Sequence, residues 1–318
     1  MHFRTQIPIS KSNHTIGYDS EVVSLGSCFA VNMGEKLEEF QFKNEVNPFG
    51  ILFHPLAIER LLHFAETQKS FTETDVFFHN ERWHCFDAHS DRSDSDCGNL
   101  LQKLNDSIVL THLRIKKATH IIITYGTAWV YREKALNDVV ANCHKLPQAQ
   151  FSKEILSVEA IRKSIQNTIQ IISRLNPEAQ IIFTISPVRH LKDGFSGNQR
   201  SKSNLIAALH DTLQPENNHP HAAYFPSYEI MMDELRDYRF YAEDMIHPNQ
   251  VAVDYIWERF AQAHISEAAF AVMEKVAQIR KSLAHRPFNP DSKSHRNFQV
   301  KLQESIDAIQ KQHPHMRF

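Results

Sequence analysis

Short apolar runs alternate with longer amphipathic stretches along much of the chain. The runs that predict strands are 22–25, 118–124, 179–185 and 222–226, each ending close to a glycine, serine or proline. Apolar residues recur at helical spacing over 32–42, 55–67, 155–175, 199–213 and 250–260. Short strands without two-residue alternation, separated by helices, are typical of a parallel sheet covered on both faces. We therefore predict an α/β fold whose ligand site lies beyond the carboxyl ends of the strands.

Two segments interrupt this alternation. Residues 54–117 hold a helix, an aromatic and histidine-rich stretch (77–89) and a polar loop (90–98), so we predict an insertion that shapes the pocket. From 263 onward, two helical segments flank a proline-bearing hinge at 286–290. We expect a domain over 1–262 and a C-terminal helical extension over 263–318. The extension would pack on the domain or form a homo-oligomer through a second subunit.

Charge and cysteine content restrict the class of protein. The 35 lysines and arginines nearly balance 37 acidic residues, which argues against a nucleic-acid partner. No apolar run reaches the roughly 18 residues of a membrane span, and residues 1–20 lack the order of a secretory signal. The four cysteines form no CxxC pair, which favours reduced thiols. These features predict a cytoplasmic protein that binds no membrane.

Ser27 is a candidate nucleophile because it follows a predicted strand and Gly26 and precedes a predicted helix. Such a turn exposes a hydroxyl beside the unpaired N–H groups and the positive end of the helix. A serine that only caps the helix would occupy the same position.

Asp244 and His247 form a second candidate element, in the stretch DMIHP. An aspartate three positions before a histidine can meet the imidazole, fix its tautomer and stabilise the imidazolium. A solvated surface pair has the same spacing.

Together these elements resemble the SGNH (GDSL-like) hydrolase superfamily and, more narrowly, the GSCFA family. The blocks that carry the resemblance are GSCFA (26–30), NPFGI (47–51), GTAWVY (126–131), SPVRH (186–190) and the stretch 225–260. The similarity spans roughly residues 20–260, and the HRPFN segment of the tail agrees with it.

The resemblance implies a three-layer α/β/α sandwich with a flavodoxin-like parallel sheet. It also implies that Ser27 is the nucleophile, His247 the base and Asp244 its orienter. The Ser27 hydroxyl would then contact the His247 imidazole. Gly50 matches the glycine whose backbone N–H helps to form the oxyanion hole in that superfamily. No cofactor is implied.

Ala128 departs from the wider pattern, since it stands where typical SGNH enzymes carry an asparagine. A methyl group cannot donate a hydrogen bond. We expect Asn47 or the Thr127 hydroxyl to substitute, with the backbone N–H groups of Ser27 and Cys28 contributing.

Further candidates lie near the predicted site. Arg189 and His190 follow the third predicted strand, where the arginine could bind a carboxylate or sugar hydroxyls, or pair with Asp193. Trp129 and His89 are candidate substrate-binding residues, although the stretch around His89 is equally compatible with core under a loop. His84, Cys85 and His89 have no second ligand pair at metal-binding spacing, so we expect no metal.

Cys28 is an alternative nucleophile, because a thiol at a helix N-terminus has a lowered pKa. Successive residues in a turn point in different directions, and the family pattern favours the serine. Cys28 is then a small buried residue.

These residues predict a serine hydrolase that cleaves a carboxylic ester through an acyl-enzyme on Ser27. O-acetyl groups on a carbohydrate are the first expectation for substrate, by analogy with the superfamily. The alternatives are an acyltransferase to a sugar hydroxyl and a catalytically silent carbohydrate-binding module.

Overall fold

The computed structural model describes residues 5–318. The first half of the chain forms β1 (Glu21–Gly26), α1 (Cys28–Glu39), β2 (Lys43–Val46), α2 (Pro55–Thr67), β3 (Phe77–His79), β4 (Arg82–His84), α3 (Cys97–Lys117), β5 (His120–Tyr125), β6 (Trp129–Glu133), β7 (Asp138–Val140) and β8 (Phe151–Ile155). The second half forms α4 (Val158–Leu175), β9 (Gln180–Ile185), α5 (Gly194–Thr212), β10 (Ala222–Phe225), α6 (Ser227–Glu229), α7 (Gln250–His264), α8 (Glu267–Leu283) and α9 (Lys293–Gln312). A π-helical segment, Ile230–Leu235, follows α6 directly.

The central sheet has five parallel strands in the order β10-β9-β5-β1-β2. This order is that of flavodoxin-like folds, in which ligands bind where the strand order reverses. Here the reversal falls between β1 and β5. From β1 the chain passes to the edge strand β2, and it then returns to form β5 on the other side of β1. The four predicted strands are therefore confirmed, and the carboxyl ends of β1 and β5 are the expected place for a site.

Helices cover both faces of the sheet, which confirms the three-layer arrangement. Alternate residues of a strand point to opposite faces. Val23 of β1 packs in a core with α2, α3, α4 and α5, whereas Val22 packs in a second core with α1 and α7. Among the described residues, no helix is both long and apolar enough to cross a membrane.

The C-terminal helices pack on this domain, on the side of α1. Met273 of α8, Ile309 of α9 and Met316 share one buried cluster with Phe29 and Met33 of α1. Phe29 and Met316 have no exposed surface. The extension therefore completes the core behind the helix that follows Ser27.

Six strands and the helices α3 and α6 were not predicted. The edge strand β2 (KNEV) is mostly polar and half-buried throughout, so it lacks an apolar run. The strands β6, β7 and β8 form a small antiparallel sheet after β5, and the helix predicted from 155 begins at Val158 with Ser157 as its cap. Strands β3 and β4 form a hairpin within the predicted insertion.

The predicted insertion also contributes to the helical layer. Its helices α2 and α3 pack in the first core, and α3 leads the chain back across the sheet to β5.

Candidate functional site

Ser27 lies between β1 and α1, at the point where the strand order reverses. Gly26 has φ +132°, and a Cβ atom there would lie 2.1 Å from the carbonyl oxygen of Thr124 on β5. Only glycine fits such a position. The Ser27 N–H donates to that same oxygen over 3.0 Å. The backbone of the turn is therefore fixed by the neighbouring strand.

The Ser27 side chain is fully buried, and it does not cap α1. Its hydroxyl makes no cap hydrogen bond and has no other hydrogen-bond partner within residues 5–318. A buried hydroxyl without a partner is costly, and such groups concentrate at functional sites. The capping explanation for this serine therefore finds no support in its contacts.

Asp244 and His247 form the predicted pair on the loop before α7. The Asp244 Oδ2 atom lies 2.6 Å from Nδ1 of His247, and Oδ1 accepts the backbone N–H groups of Ile246 and His247. The backbone N–H and the ring of His247 lower the pKa of Asp244 to about 2. The carboxylate is an acceptor, so Nδ1 must carry the proton and Nε2 is left as an acceptor.

The expected hydrogen bond between Ser27 and His247 is not formed in this structure. The serine is buried, whereas 48 % of the His247 side chain is exposed. His190 lies near Ser27. Its Nε2 atom and the Cβ of Ser27 lie 3.4 and 3.1 Å from the position that a Gly126 Cβ would take.

His190 is held neutral in this position. Burial, the charge of Lys202 and then that of His247 lower its pKa to about 3. Its Nε2 atom is buried and has no hydrogen-bond partner among the described residues. The ring packs edge-on against Phe53, whose carbonyl oxygen accepts the N–H groups of Gly126 and Thr127.

Asn47 is joined to the nucleophile turn. It adopts φ +44°, and its Oδ1 atom accepts the Gly26 N–H over 2.8 Å. Its Nδ2 group is buried and makes no hydrogen bond in the described part of the chain. Asn47 therefore has an unused amide donor and is bonded to Gly26, the residue before Ser27.

Three other predicted oxyanion donors are occupied, and one of them is the Ser27 backbone N–H, which already donates to Thr124. The Gly50 N–H donates to the Asn47 carbonyl oxygen over 2.8 Å. The Thr127 hydroxyl lies 3.1 Å from the Ser201 hydroxyl and accepts the backbone N–H of Trp129. Ala128 is buried and has no side-chain donor to add.

Trp129 and His89 have different neighbours. The indole Nε1 of Trp129 donates to the Gly197 carbonyl, so the ring is held against α5. His89 packs edge-on against Phe53, and its Nδ1 atom lies 3.2 Å from Asp91. His89 and His190 therefore both pack against Phe53.

Arg189 forms no ion pair with a carboxylate of the described residues. Asp193, its predicted alternative partner, pairs with Lys153 instead. The guanidinium lies 4.7 Å from the ring centre of Tyr241 and 5.8 Å from that of Tyr238.

In the histidine-rich stretch, the side chains of His84 and Cys85 have other surroundings. His84 has both ring nitrogens occupied, by the Ser93 hydroxyl and the His79 carbonyl. Burial raises the pKa of the Cys85 thiol to about 12. Among the described residues, no three acidic, histidine or cysteine side chains are grouped as metal ligands would be.

Cys28 is partly exposed, in contrast to the expectation that it is buried. Burial raises the pKa of its thiol, and the charge of Lys202 opposes that shift. The side chain is accessible, but at neutral pH it is a thiol, the weaker nucleophile.

Lys202 is a site residue that the sequence analysis missed. Its side chain is fully buried, and its ammonium donates to the carbonyl oxygens of Gly126 and Ser186, each over 2.7 Å. Burial lowers its pKa to about 7, and the interaction with Cys28 opposes that shift. Lys202 shares one face of α5 with the buried Leu205 and Leu209. A lysine among the apolar residues of one helical face is the sequence pattern that could have indicated this buried side chain.

Comparison with known families agrees with the motifs. The GSCFA family matches residues 21–260, and GSCFA domain protein, C-terminal domain, matches residues 276–318. No curated protein matches the chain significantly. The first match covers well over half of the 318 residues. The chain therefore belongs to the GSCFA family.

Proposed function

We propose that this chain is an SGNH-type ester hydrolase that forms an acyl-enzyme on Ser27. One observation carries the proposal. In the described part of the chain the Ser27 hydroxyl is buried without a hydrogen-bond partner at the N-terminus of α1, and a preformed Asp244–His247 pair lies close enough to His190, the ring near Ser27, to lower its pKa. The flavodoxin-like strand order and the block resemblance support the same proposal.

The chemistry requires His247 to approach Ser27. When the loop that carries Asp244 and His247 closes, Nε2 of His247 takes the proton of the Ser27 hydroxyl. The serine oxygen bonds to the ester carbonyl carbon, and the alcohol leaves with that proton. Water, deprotonated by His247, then cleaves the acyl-enzyme and releases the acid.

Of the two nearby histidines, His247 is the better base. A base with a pKa of about 3, as His190 has, holds a proton poorly at neutral pH. His247 has the carboxylate of Asp244 at 2.6 Å, which stabilises its imidazolium. His190 instead offers a neutral ring to the substrate.

Asn47 replaces the absent asparagine of position 128 in this mechanism. Its unpaired Nδ2 group and the backbone N–H groups at the start of α1 donate to the oxyanion. The acyl group that we propose is acetyl, on a carbohydrate hydroxyl. Transfer to a sugar hydroxyl differs only in the acceptor, and product analysis with added sugars separates the two.

The test is a panel of p-nitrophenyl esters and acetylated sugars, with wild type and Ser27→Ala measured side by side. We expect turnover of at least one ester by wild type and none above background by Ser27→Ala. Equal rates for the two proteins would refute the proposal.

A catalytically silent carbohydrate-binding module is the second candidate. The missing Ser27–His247 hydrogen bond and Ala128 favour it. A fluorophosphonate probe separates the two candidates, because an activated Ser27 is labelled and a silent one is not.

A further inference from the structure

Arg189 lies on the loop after β9 in a position shaped by aromatic rings. Its guanidinium lies near the faces of Tyr241 and Tyr238, and its Nη2 atom contacts the sulfur of Met232 at 4.0 Å. An arginine stacked on aromatic rings keeps its in-plane N–H groups available. Its side chain is half-buried, and 60 % of Tyr238 is exposed. A solute can therefore reach this group.

No acid of the protein neutralises this arginine. Within residues 5–318, no carboxylate oxygen lies within 4.0 Å of its nitrogen atoms. Three acids on the neighbouring segments have other partners: Glu229 accepts from Tyr224, Asp237 pairs with Arg239, and Asp244 pairs with His247. Asp233 and Glu243 are exposed, and neither forms an ion pair with Arg189. The Met232 sulfur and the Tyr241 phenol contact the guanidinium, but both are neutral and leave its charge uncompensated. A half-buried cation of this kind is the arrangement that recognises a planar or tetrahedral oxyanion.

Arg189 is connected to both halves of the candidate site. Its backbone N–H donates over 3.3 Å to the carbonyl oxygen of Ile246, the residue before His247. The next residue, His190, reaches the position beside Ser27 and Gly126. The backbone at Arg189 is therefore joined to the His247 loop on one side and to the residue near Ser27 on the other.

We infer that Arg189 binds an anionic group, carboxylate or phosphate, on the ester substrate, and that the enzyme prefers anionic esters to neutral ones. This inference rests on the proposed ester hydrolysis. The rings of Tyr238 and Tyr241 hold the guanidinium in place, so little ordering is needed when the anion binds. The arginine acts on substrate choice and takes no part in proton transfer.

The experiment compares two matched esters, 4-acetoxybenzoate and its neutral amide, 4-acetoxybenzamide. We expect wild type to prefer the carboxylate by about 10- to 100-fold in kcat/KM, the range of a charged hydrogen-bonded pair. In Arg189→Gln this preference should fall to near unity, because kcat/KM falls much more on the carboxylate than on the amide. Arg189→Lys should restore part of it. 4-Acetoxyphenyl phosphate tests whether phosphate is the better anion.

Arg200→Gln is the control for loss of surface charge, because Arg200 is an exposed residue of the same loop–helix region. It should keep the preference for the carboxylate. An equal preference in Arg189→Gln and wild type would overturn the inference. Equal loss on both esters in Arg189→Gln would also overturn it, since a specificity residue should affect the neutral ester less.

A binding measurement separates this inference from the hydrolase proposal. Calorimetric titration of Ser27→Ala with 4-hydroxybenzoate should show binding that the Ser27→Ala/Arg189→Gln double variant lacks. Binding together with no ester turnover by wild type would refute the hydrolase proposal and keep the anion site. Identical titrations of the two variants would overturn the anion site, whatever the turnover.

Discussion

The ammonium of Lys202 lies 2.7 Å from the carbonyl oxygen of Gly126, beneath the turn that faces Ser27. The same ammonium binds the carbonyl oxygen of Ser186, so it joins the ends of β5 and β9. No carboxylate in the described part of the chain pairs with it. Burying a cation without a counter-charge costs several kcal/mol of folding free energy. Burial therefore favours the neutral amine and lowers the pKa of the lysine.

This lysine should make stability depend on pH above neutrality. Its pKa is about 7 in the folded protein and about 10.4 in an unfolded chain. Between these values the unfolded chain holds one proton more, so the free energy of unfolding rises with pH, by about 1.4 kcal/mol per unit. Urea denaturation of wild type and Lys202→Met from pH 6 to 10 measures the difference.

In Lys202→Met that one-proton slope should be absent, whatever the variant's stability at pH 7. Lys301→Met, at an exposed position of α9, is the control and should keep the wild-type slope. Parallel curves for wild type and Lys202→Met would show that Lys202 is ionised equally in both states.

Ser27 and His247 should act as one catalytic unit. We expect Ser27→Ala and His247→Ala each to reduce kcat on a small ester by about 10⁴ or more, and the double variant to lose little beyond that. Steady-state kinetics on the best ester of the panel measures the three losses. Losses that multiply would mean that the two residues act independently.

Substitutions at Asn47 and Thr127 should have different effects on oxyanion stabilisation and hence on kcat. The Asn47→Asp variant keeps the acceptor for the Gly26 N–H but removes the Nδ2 donor, so kcat should fall by about 10² to 10³. The Thr127→Val variant should leave kcat nearly unchanged, because that hydroxyl is already bonded to Ser201 and Trp129. Unchanged rates in both variants would exclude both donors.

Cys28 should be dispensable although it is the more accessible neighbour. Cys28→Ala should retain most of the turnover, because its thiol has a raised pKa and few thiolates form at neutral pH. Iodoacetamide should inactivate wild type slowly and spare Cys28→Ala. Loss of turnover in Cys28→Ala would make Cys28 the nucleophile.

Local patterns were sufficient to predict the main elements of the fold. The strands β1, β5, β9 and β10 are short runs that are more apolar than the sequence on either side. Strands buried on both faces of a sheet have this composition. The edge strand β2 has one exposed side and polar residues, so no comparable contrast marks it. The hairpin and the small antiparallel sheet are likewise set by contacts between distant segments.

The candidate site divides in the same way. The Asp244–His247 pair is local, three residues apart, and sequence predicted its contact. The occupied donors of Gly50 and Thr127, and the ammonium of Lys202 beneath Gly126, depend on contacts that span 3 to 76 positions and on backbone atoms that every residue carries. Side-chain type alone does not reveal which backbone groups are already paired.

The buried apolar residues of α1 have a consequence for folding during translation. Phe29 and Met33 share their buried cluster with Ile309 of α9 and with Met316, which are synthesised long after α1. Until the ribosome has translated those residues, the cluster behind Ser27 is incomplete and part of its apolar surface is open to water. Chaperone contact and protease sensitivity should therefore concentrate on α1 until α9 has docked.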